Sequence, residues 1–232
     1  MGKKAVCLIS GGLDSAVSAF IAKDMGYDLF ALSFFYGQRH NKEIESAKKI
    51  AKILDVKKHV IFNIDIGQFG GSSLVDESIK LEIDHKLEDI GNGIPNTYVP
   101  ARNTIFLSIA LGFAETVDAD AIFIGATAVD YSGYPDCRPE YFNAFQKMSD
   151  LATKKGINGK SIRIITPVLK LNKSEIIKKG HTLDVPFDKT WSCYSGKEKA
   201  CGRCDSCLLR LKGFKKAGLK DPLKYEILPD WY

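Results

Sequence analysis

The sequence predicts an α/β fold: a doubly wound parallel sheet of five strands, followed by a small cysteine-rich C-terminal module. Three observations point to it. Short apolar runs of strand length alternate with segments whose apolar residues recur at helical spacing. The first run ends in Ser10-Gly11-Gly12, a turn that leads straight into a helical pattern. Four of the six cysteines, Cys193, Cys201, Cys204 and Cys207, crowd into fifteen positions late in the chain.

The elements follow in order. Ala5–Ile9 is an unbroken apolar run, as a strand buried on both faces requires. Behind the glycine turn, Ala16, Val17, Phe20, Ile21 and Met25 share one helix face, and Gly26 closes that helix. Leu29–Tyr36 is the second strand. The polar stretch Gly37-Gln38-Arg39-His40-Asn41 then leads to a helix carrying Ile44, Ala47, Ile50, Ala51 and Leu54 on one side. Val60–Ile64 is the third strand, and this alternation argues for parallel pairing.

From Gly67 to Ala101 the rhythm breaks. The segment holds Gly70-Gly71, Gly91, Gly93, Pro95 and Pro100, and loops of this length in compact domains are usually functional or mobile. Thr104–Val117 resumes as a helix, Ala121–Gly125 is the fourth strand, and Glu140–Lys155 reads as a further helix. Ile162–Thr166 is the fifth strand, stopped by Pro167, and Ser174–Lys179 is a short helix. The main domain is expected over residues 1–190 and the small module with its tail over residues 191–232.

Composition narrows the function. Lys and Arg number 33 against 28 Asp and Glu, a net charge of +5. That mild excess suits a protein handling anionic small molecules and is shallow for a dedicated nucleic-acid binder. The longest apolar stretch, Ile105–Ala114, is about half of the ~20 residues a membrane span needs. Lys3 and Lys4 precede an apolar run too short for a secretory signal. The expectation is a soluble, cytoplasmic protein, where a cysteine cluster reads as a metal site before it reads as disulfides.

Ser10-Gly11-Gly12-Leu13-Asp14-Ser15 has the layout of an anion site. Glycines permit close backbone approach, and the helix behind them aims unpaired N–H groups at the turn. Ser10 and Ser15 add hydroxyl donors. The Gly-Lys-Ser/Thr ending of a Walker loop is absent, and the glycine spacing differs from a dinucleotide fingerprint. Asp14 would repel a phosphate unless a divalent cation stood between them. The plainer alternative is a strand-to-helix turn with Asp14 or Ser15 as N-cap, and the turn alone does not separate the two.

Cys201-Gly202-Arg203-Cys204-Asp205-Ser206-Cys207, with Cys193 upstream, offers the four thiolates of a closed structural zinc site. Gly202 helps the chain bend, and Arg203, Arg210 and Lys212 are placed to offset the thiolate charge. An iron–sulfur cluster is the competing reading, although the usual Cys-Pro continuation is missing. Cys7, inside the first strand, reads as core.

Ser-Gly-Gly-x-Asp-Ser after a first strand resembles the PP-loop of the ATP pyrophosphatase superfamily. Further stretches narrow the resemblance: Phe35-Tyr36-Gly37-Gln38-Arg39-His40, then Gly93 through Asn103, then Asp130 through Arg138. Thr166-Pro167 with Asn172-Lys173-Ser174-Glu175, and Cys193-Tyr194-Ser195-Gly196, complete the set. In this order and spacing, to about Phe214, they resemble the QueC family. Two departures stand out: family members often have Gly at the position of Ala101 and Gln at that of Leu13.

The resemblance implies an ATP-dependent carbon–nitrogen ligase of queuosine or archaeosine synthesis. Its substrate would be 7-carboxy-7-deazaguanine, taken with ammonia through an acyl adenylate and an amide to the 7-cyano product. It implies ATP with Mg2+ held by Ser10, Gly11, Gly12, Leu13, Asp14, Ser15 and Ala16. It implies structural Zn2+ on Cys193, Cys201, Cys204 and Cys207, and a homodimer without a nucleic-acid partner. Asp14, Lys173 and Arg102 would be catalytic, with Lys173 facing the phosphates. Asp130, Tyr131, Ser132, Asp136 and Arg102 would bind the substrate, an acid meeting the guanine-like edge and Tyr131 or Tyr134 stacking on the ring. Plainer readings stand beside these. Lys173 is then a solvated lysine at a helix start, Asn103 an N-cap, and Asp130–Arg138 a Gly-Pro turn with solvated acids. His40 carries no assigned role. Rival functions are a PP-loop enzyme modifying tRNA, a paralogue delivering the adenylate to another amine, and a non-catalytic nucleotide-binding module.

Overall fold

A computed structural model describes residues 2–91, 93–129 and 133–232. The strands are β1 (Lys4–Leu8), β2 (Asp28–Phe35), β3 (Lys58–Asn63), β4 (Ala121–Phe123) and β5 (Arg163–Ile165). They form one parallel sheet in the order β3-β2-β1-β4-β5. The chain therefore winds outward from β1 to β3, then returns across β1 to build β4 and β5. The reversal lies between β1 and β4, where such sheets open a crevice at their carboxyl ends.

Alternation along β1 sorts the core. Ala5, Cys7 and Ile9 face one apolar cluster, and Val6 and Leu8 face another. The first cluster takes residues from α1 (Leu13–Asp24), α2 (Lys42–Ile53) and α6 (Lys173–Thr182). The second takes residues from α3 (Arg102–Thr116) and α4 (Pro139–Ala152). Both faces of the sheet are thus covered, which is why its strands read as continuous apolar runs.

Three expectations are refined. The helix expected over Glu140–Lys155 is two helices, α4 and the single turn α5 (Lys154–Ile157). Thr153 is extended between them, and its hydroxyl accepts the Gly156 N–H at 3.2 Å, capping the new start. α6 continues past Lys179 to Thr182, because Gly180 lets it lie against α1: a Cβ there would stand 2.7 Å from Val17 and 2.6 Å from Phe187. The long segment before α3 has one 3₁₀ turn, Ile66–Phe69. It is tied across the surface by Arg39, whose guanidinium donates to the carbonyls of Asp76 and Ile79 at 3.2 and 2.9 Å.

The C-terminal helix α7 (Asp205–Ala217) packs on α6. Gly213 permits that approach, since a Cβ there would stand 2.5 Å from Lys173 Cγ. Phe214 reaches the first core cluster. Among the described residues, no helix is long and apolar enough to cross a membrane.

Candidate active site

A cavity of about 290 Å³ opens at the carboxyl ends of β1, β2 and β4. Ser10, Asp14, Glu43, Arg102, Lys173 and Trp191 are among the residues that line it. The glycine turn forms its base. Gly11 has φ +89°, and a Cβ there would lie 2.1 Å from the Glu43 carbonyl oxygen. The first turn of α2 is pressed against the loop, so only glycine fits. On the other side, a Cβ at Gly125 would stand 2.6 Å from the Asp14 carbonyl and the Ser15 nitrogen. That glycine lets the exit of β4 touch the first turn of α1.

The two serines stitch the loop. Ser15 donates to the Gly12 carbonyl at 3.0 Å and accepts the Ser10 N–H at 3.2 Å, and the two hydroxyls lie 2.9 Å apart. The N-cap of α1 is Gly12, so neither Asp14 nor Ser15 fills that position. Asp14 instead sits in the first turn of α1, where the helix dipole favours an acid. It receives Lys173 Nζ on both carboxylate oxygens, at 2.7 and 2.6 Å.

Lys173 is the first residue of α6, the wrong end for a cation by dipole alone. A capping box fixes it there: the Asn172 side chain accepts the Glu175 N–H at 3.1 Å, and Glu175 accepts the Asn172 N–H at 2.8 Å. The Asp14 carboxylate offsets the misplaced charge.

Arg102 opens α3, with its guanidinium 6.0 Å from the Tyr36 ring centre. The residue before it, Ala101, has φ +53°. That left-handed backbone strains an L residue in a way that glycine would escape. Burial pushes the Tyr36 hydroxyl up to about 12, with Arg102 acting in the opposite direction.

Asn103 and Asp136 make a structural clasp. Asp136 is buried, and its carboxylate accepts the Asn103 N–H at 3.0 Å. The Asn103 amide donates to the Asp136 carbonyl at 3.1 Å and lies 3.2 Å from Cys137 Sγ. Asn103 is therefore inside α3 rather than its N-cap, which is Ala101. Asp136, expected at the substrate, fastens the start of α3 to the 3₁₀ turn Pro135–Cys137 and stands outside the set of cavity-lining residues. Tyr134 and Cys137 do line the cavity. Asp130, Tyr131 and Ser132 lie outside the described residues.

Sequence reasoning missed Glu43. It lines the cavity from the first turn of α2, and burial pushes its carboxyl up to about 7 while Arg102 pulls it down. An acid in a first helical turn is ordinary dipole complementation, so nothing in the sequence set it apart.

The four clustered cysteines come together as expected. Their sulfur atoms all lie within 4.8 Å of one another, with Cys201 and Cys207 Sγ 3.9 Å apart. Four thiolates around zinc at ~2.3 Å require sulfur separations of about 3.8 Å, so a set of this size could hold one such metal ion. Backbone N–H groups of Cys201 and Ser195 point at Cys193 Sγ, at 3.2 and 3.4 Å. Hydrogen bonds from Cys201 and the other thiols push Cys193 down, and those with Cys193 push Cys204 and Cys207 up. A bound divalent cation would relieve that competition.

Two of the basic residues expected to offset the thiolate charge do feel it, Arg210 from Cys207 and Arg203 from Cys201, and each also has a carboxylate partner. Arg210 is buried and pairs with the buried Asp221, Nε to Oδ2 at 2.7 Å and Nη2 to Oδ1 at 3.0 Å. It also donates to Thr190 Oγ1 at 2.8 Å and the Phe187 carbonyl at 3.0 Å. Arg203 pairs with Asp84 of the long segment, and Asp84 N–H donates back to the Arg203 carbonyl at 3.0 Å. The tail, to which the sequence assigned no role, wraps the module. Tyr225 donates to Asp221 at 2.7 Å and bridges Ala200, while a Cβ at Gly202 would lie 1.8 Å from the Ile227 carbonyl oxygen. Trp191 N–H donates to the Gly11 carbonyl at 2.8 Å, joining the module to the turn.

A family model described as "Queuosine biosynthesis protein QueC" matches residues 4–218. The chain is 52% identical over 227 residues to the 7-cyano-7-deazaguanine synthase of Thermosynechococcus vestitus, spanning 98% of this chain and 97% of that one. It is 54% identical over 230 residues to the enzyme of that name in Citrifermentans bemidjiense, spanning 98% and 100% of the two chains. Against the enzyme of that name in Picrophilus torridus, identity is 55% over 229 residues, spanning 99% and 94%.

Proposed function

The chain belongs to the QueC family of queuosine biosynthesis proteins, ATP-dependent enzymes of the PP-loop type, and from that premise we propose that it turns 7-carboxy-7-deazaguanine and ammonia into 7-cyano-7-deazaguanine. The observation that carries this reading is the glycine turn at the sheet's reversal point, with the Asp14–Lys173 pair and Arg102 in one cavity.

The chemistry divides into two adenylations. The substrate carboxylate attacks the α-phosphorus of ATP and pyrophosphate leaves. Ammonia displaces AMP from the acyl adenylate to give the amide. The amide oxygen then attacks the α-phosphorus of a second ATP, pyrophosphate leaves, and loss of AMP and both N–H protons gives the nitrile. A carboxylate is a poor electrophile, so the protein's task is to position reactants and stabilise charge on phosphorus.

The residues suit these roles. The amides of Gly11 and Gly12, with the N-terminus of α1, favour phosphate oxygens. Asp14 would meet the magnesium that accompanies ATP, which neutralises phosphate charge at that point. Lys173, held beside it by the capping box, stabilises charge developing on the α-phosphate. Arg102 takes the substrate carboxylate in two parallel hydrogen bonds and presents one oxygen to phosphorus. Zinc on Cys193, Cys201, Cys204 and Cys207 would be closed by four sulfurs and would supply folding energy to the module. The reading extends to a cytoplasmic homodimer acting on small molecules, in keeping with the mild net charge of +5.

Incubation with ATP, magnesium, ammonium and the 7-carboxy compound, read by mass, tests the proposal. The expected products are the nitrile with AMP and pyrophosphate. Turnover to ADP and orthophosphate, or an amide or conjugate as the final product, would overturn it.

A further inference from the structure

The proposed reaction moves protons as well as phosphoryl groups. Nitrogen arrives carrying hydrogens, and the nitrile keeps none of them. One surplus proton leaves when ammonia adds to the acyl carbon, a second once the amide oxygen has been adenylated, and the last when the adenylated amide collapses. A base is needed beside the glycine turn.

Most titratable groups of the cavity are unsuited. Asp14 is bound on both oxygens by Lys173. Asp136 accepts the Asn103 N–H and stands off the cavity wall. Burial pushes Tyr36 and Cys137 up to about 12, so near neutrality each holds its own proton. Tyr134 is raised for the same reason. Arg102 and Lys173 are cations.

Glu43 is different on three counts. It lines the cavity. Its own carbonyl is packed against Gly11, so its Cα is fixed one turn from the phosphate loop. Among the described residues, no hydrogen bond engages its carboxylate. The groups that bear on it are Arg102 from α3 and Tyr36 from the end of β2, with Asp14 of α1 and Lys173 of α6 sharing the cavity.

Resting on the proposed reaction, we infer that Glu43 is the proton acceptor for both nitrogen steps. In the first, the nitrogen of ammonia bonds to the acyl carbon, the bond from that carbon to the AMP oxygen breaks, and the surplus N–H proton passes to the Glu43 carboxylate. In the second, pyrophosphate leaves as the amide oxygen bonds to phosphorus, the cationic nitrogen so formed sheds one N–H proton to water, and the remaining N–H proton passes to Glu43 as the triple bond forms and the bond from carbon to the second AMP oxygen breaks. Glu43 returns each proton to solvent. Burial gives the carboxyl a value of about 7, which makes it a stronger base than an ordinary carboxylate and leaves it substantially ionised at neutral pH.

The test compares Glu43→Gln with the unaltered protein in three assays: nitrile formation with ammonium, hydroxamate formation with hydroxylamine, and substrate-dependent ATP–pyrophosphate exchange. Hydroxylamine is neutral at pH 7, and its adduct loses a proton to water without help. The variant should form nitrile about 100-fold more slowly yet keep hydroxamate formation and exchange within about twofold. In the unaltered protein at saturating ammonium, kcat should rise with pH through a limb near 7 that exchange lacks. An unchanged nitrile rate, an equal loss in all three assays, or a flat kcat profile between about pH 6 and 8 would overturn the inference. Absence of substrate-dependent exchange in the unaltered protein would instead overturn the reaction itself, and the inference with it.

Discussion

The glycine turn and the cysteine module solve the same problem by opposite means. Each is a tight bend forced by a neighbouring carbonyl: Glu43 against Gly11 at a Cβ distance of 2.1 Å, and Ile227 against Gly202 at 1.8 Å. The turn is held by the sheet, by its two serines and by helix starts, all supplied by ordinary folding. The module has a small apolar cluster of its own, and it depends on a buried ion pair, a wrapping tail and the four sulfurs. The first region is preorganised by the core, whereas the second gathers four sulfurs that a metal ion would complete.

That contrast can be broken most forcefully at the metal. Cys204→Ala should lose stoichiometric zinc and unfold much of the region after Trp191, because structural zinc contributes on the order of 10 kcal/mol. Metal analysis and circular dichroism read both effects, and a variant that keeps its zinc would remove the ligand assignment. Next in size is Asp221→Asn. It leaves the Arg210 guanidinium buried without its anion, at a cost of about 3–5 kcal/mol in urea denaturation. A loss below about 1 kcal/mol would show the ion pair to be incidental.

The turn yields smaller effects. The folded protein holds the Glu43 proton up to about pH 7, beyond the ordinary carboxylate range. Stability from this group is therefore fully present below about pH 4, near the unfolded carboxylate value, and is lost as pH rises through 7. Glu43→Gln should be more stable than the unaltered chain by about 3 kcal/mol at pH 8, and close to it at pH 4, in parallel urea titrations. The smallest effect is expected at Ala101, whose φ of +53° strains an L residue. Ala101→Gly should gain about 0.5 kcal/mol, the relief of left-handed strain less the entropy of glycine. A clear destabilisation would show that the Ala101 side chain supports the cavity wall.

The two regions also differ in how well the sequence announces them. The sheet was legible because its central strands are buried on both faces and read as plain apolar runs, Ala5–Ile9 above all. The cysteines were legible because metal ligands are few in kind and close in spacing. What stayed hidden depends on parts of the chain that meet only after folding. Gly125 looked like the end of a strand, yet it admits the first turn of α1. Arg210 was legible as a counter-charge for sulfur, but not as the partner of a tail residue eleven positions on. Asp136 looked like a ligand for a purine edge, yet it closes the start of a helix 33 residues earlier. Glu43 carried no local signal because burial by distant elements is what raises its proton affinity.

One contact would give a metal at the four sulfurs a reach beyond its own knot. The Trp191 amide on the Gly11 carbonyl ties the cysteine region to the glycine turn. A metal held at those sulfurs would thus be felt at the cavity wall even though none of its four candidate ligands lines the cavity.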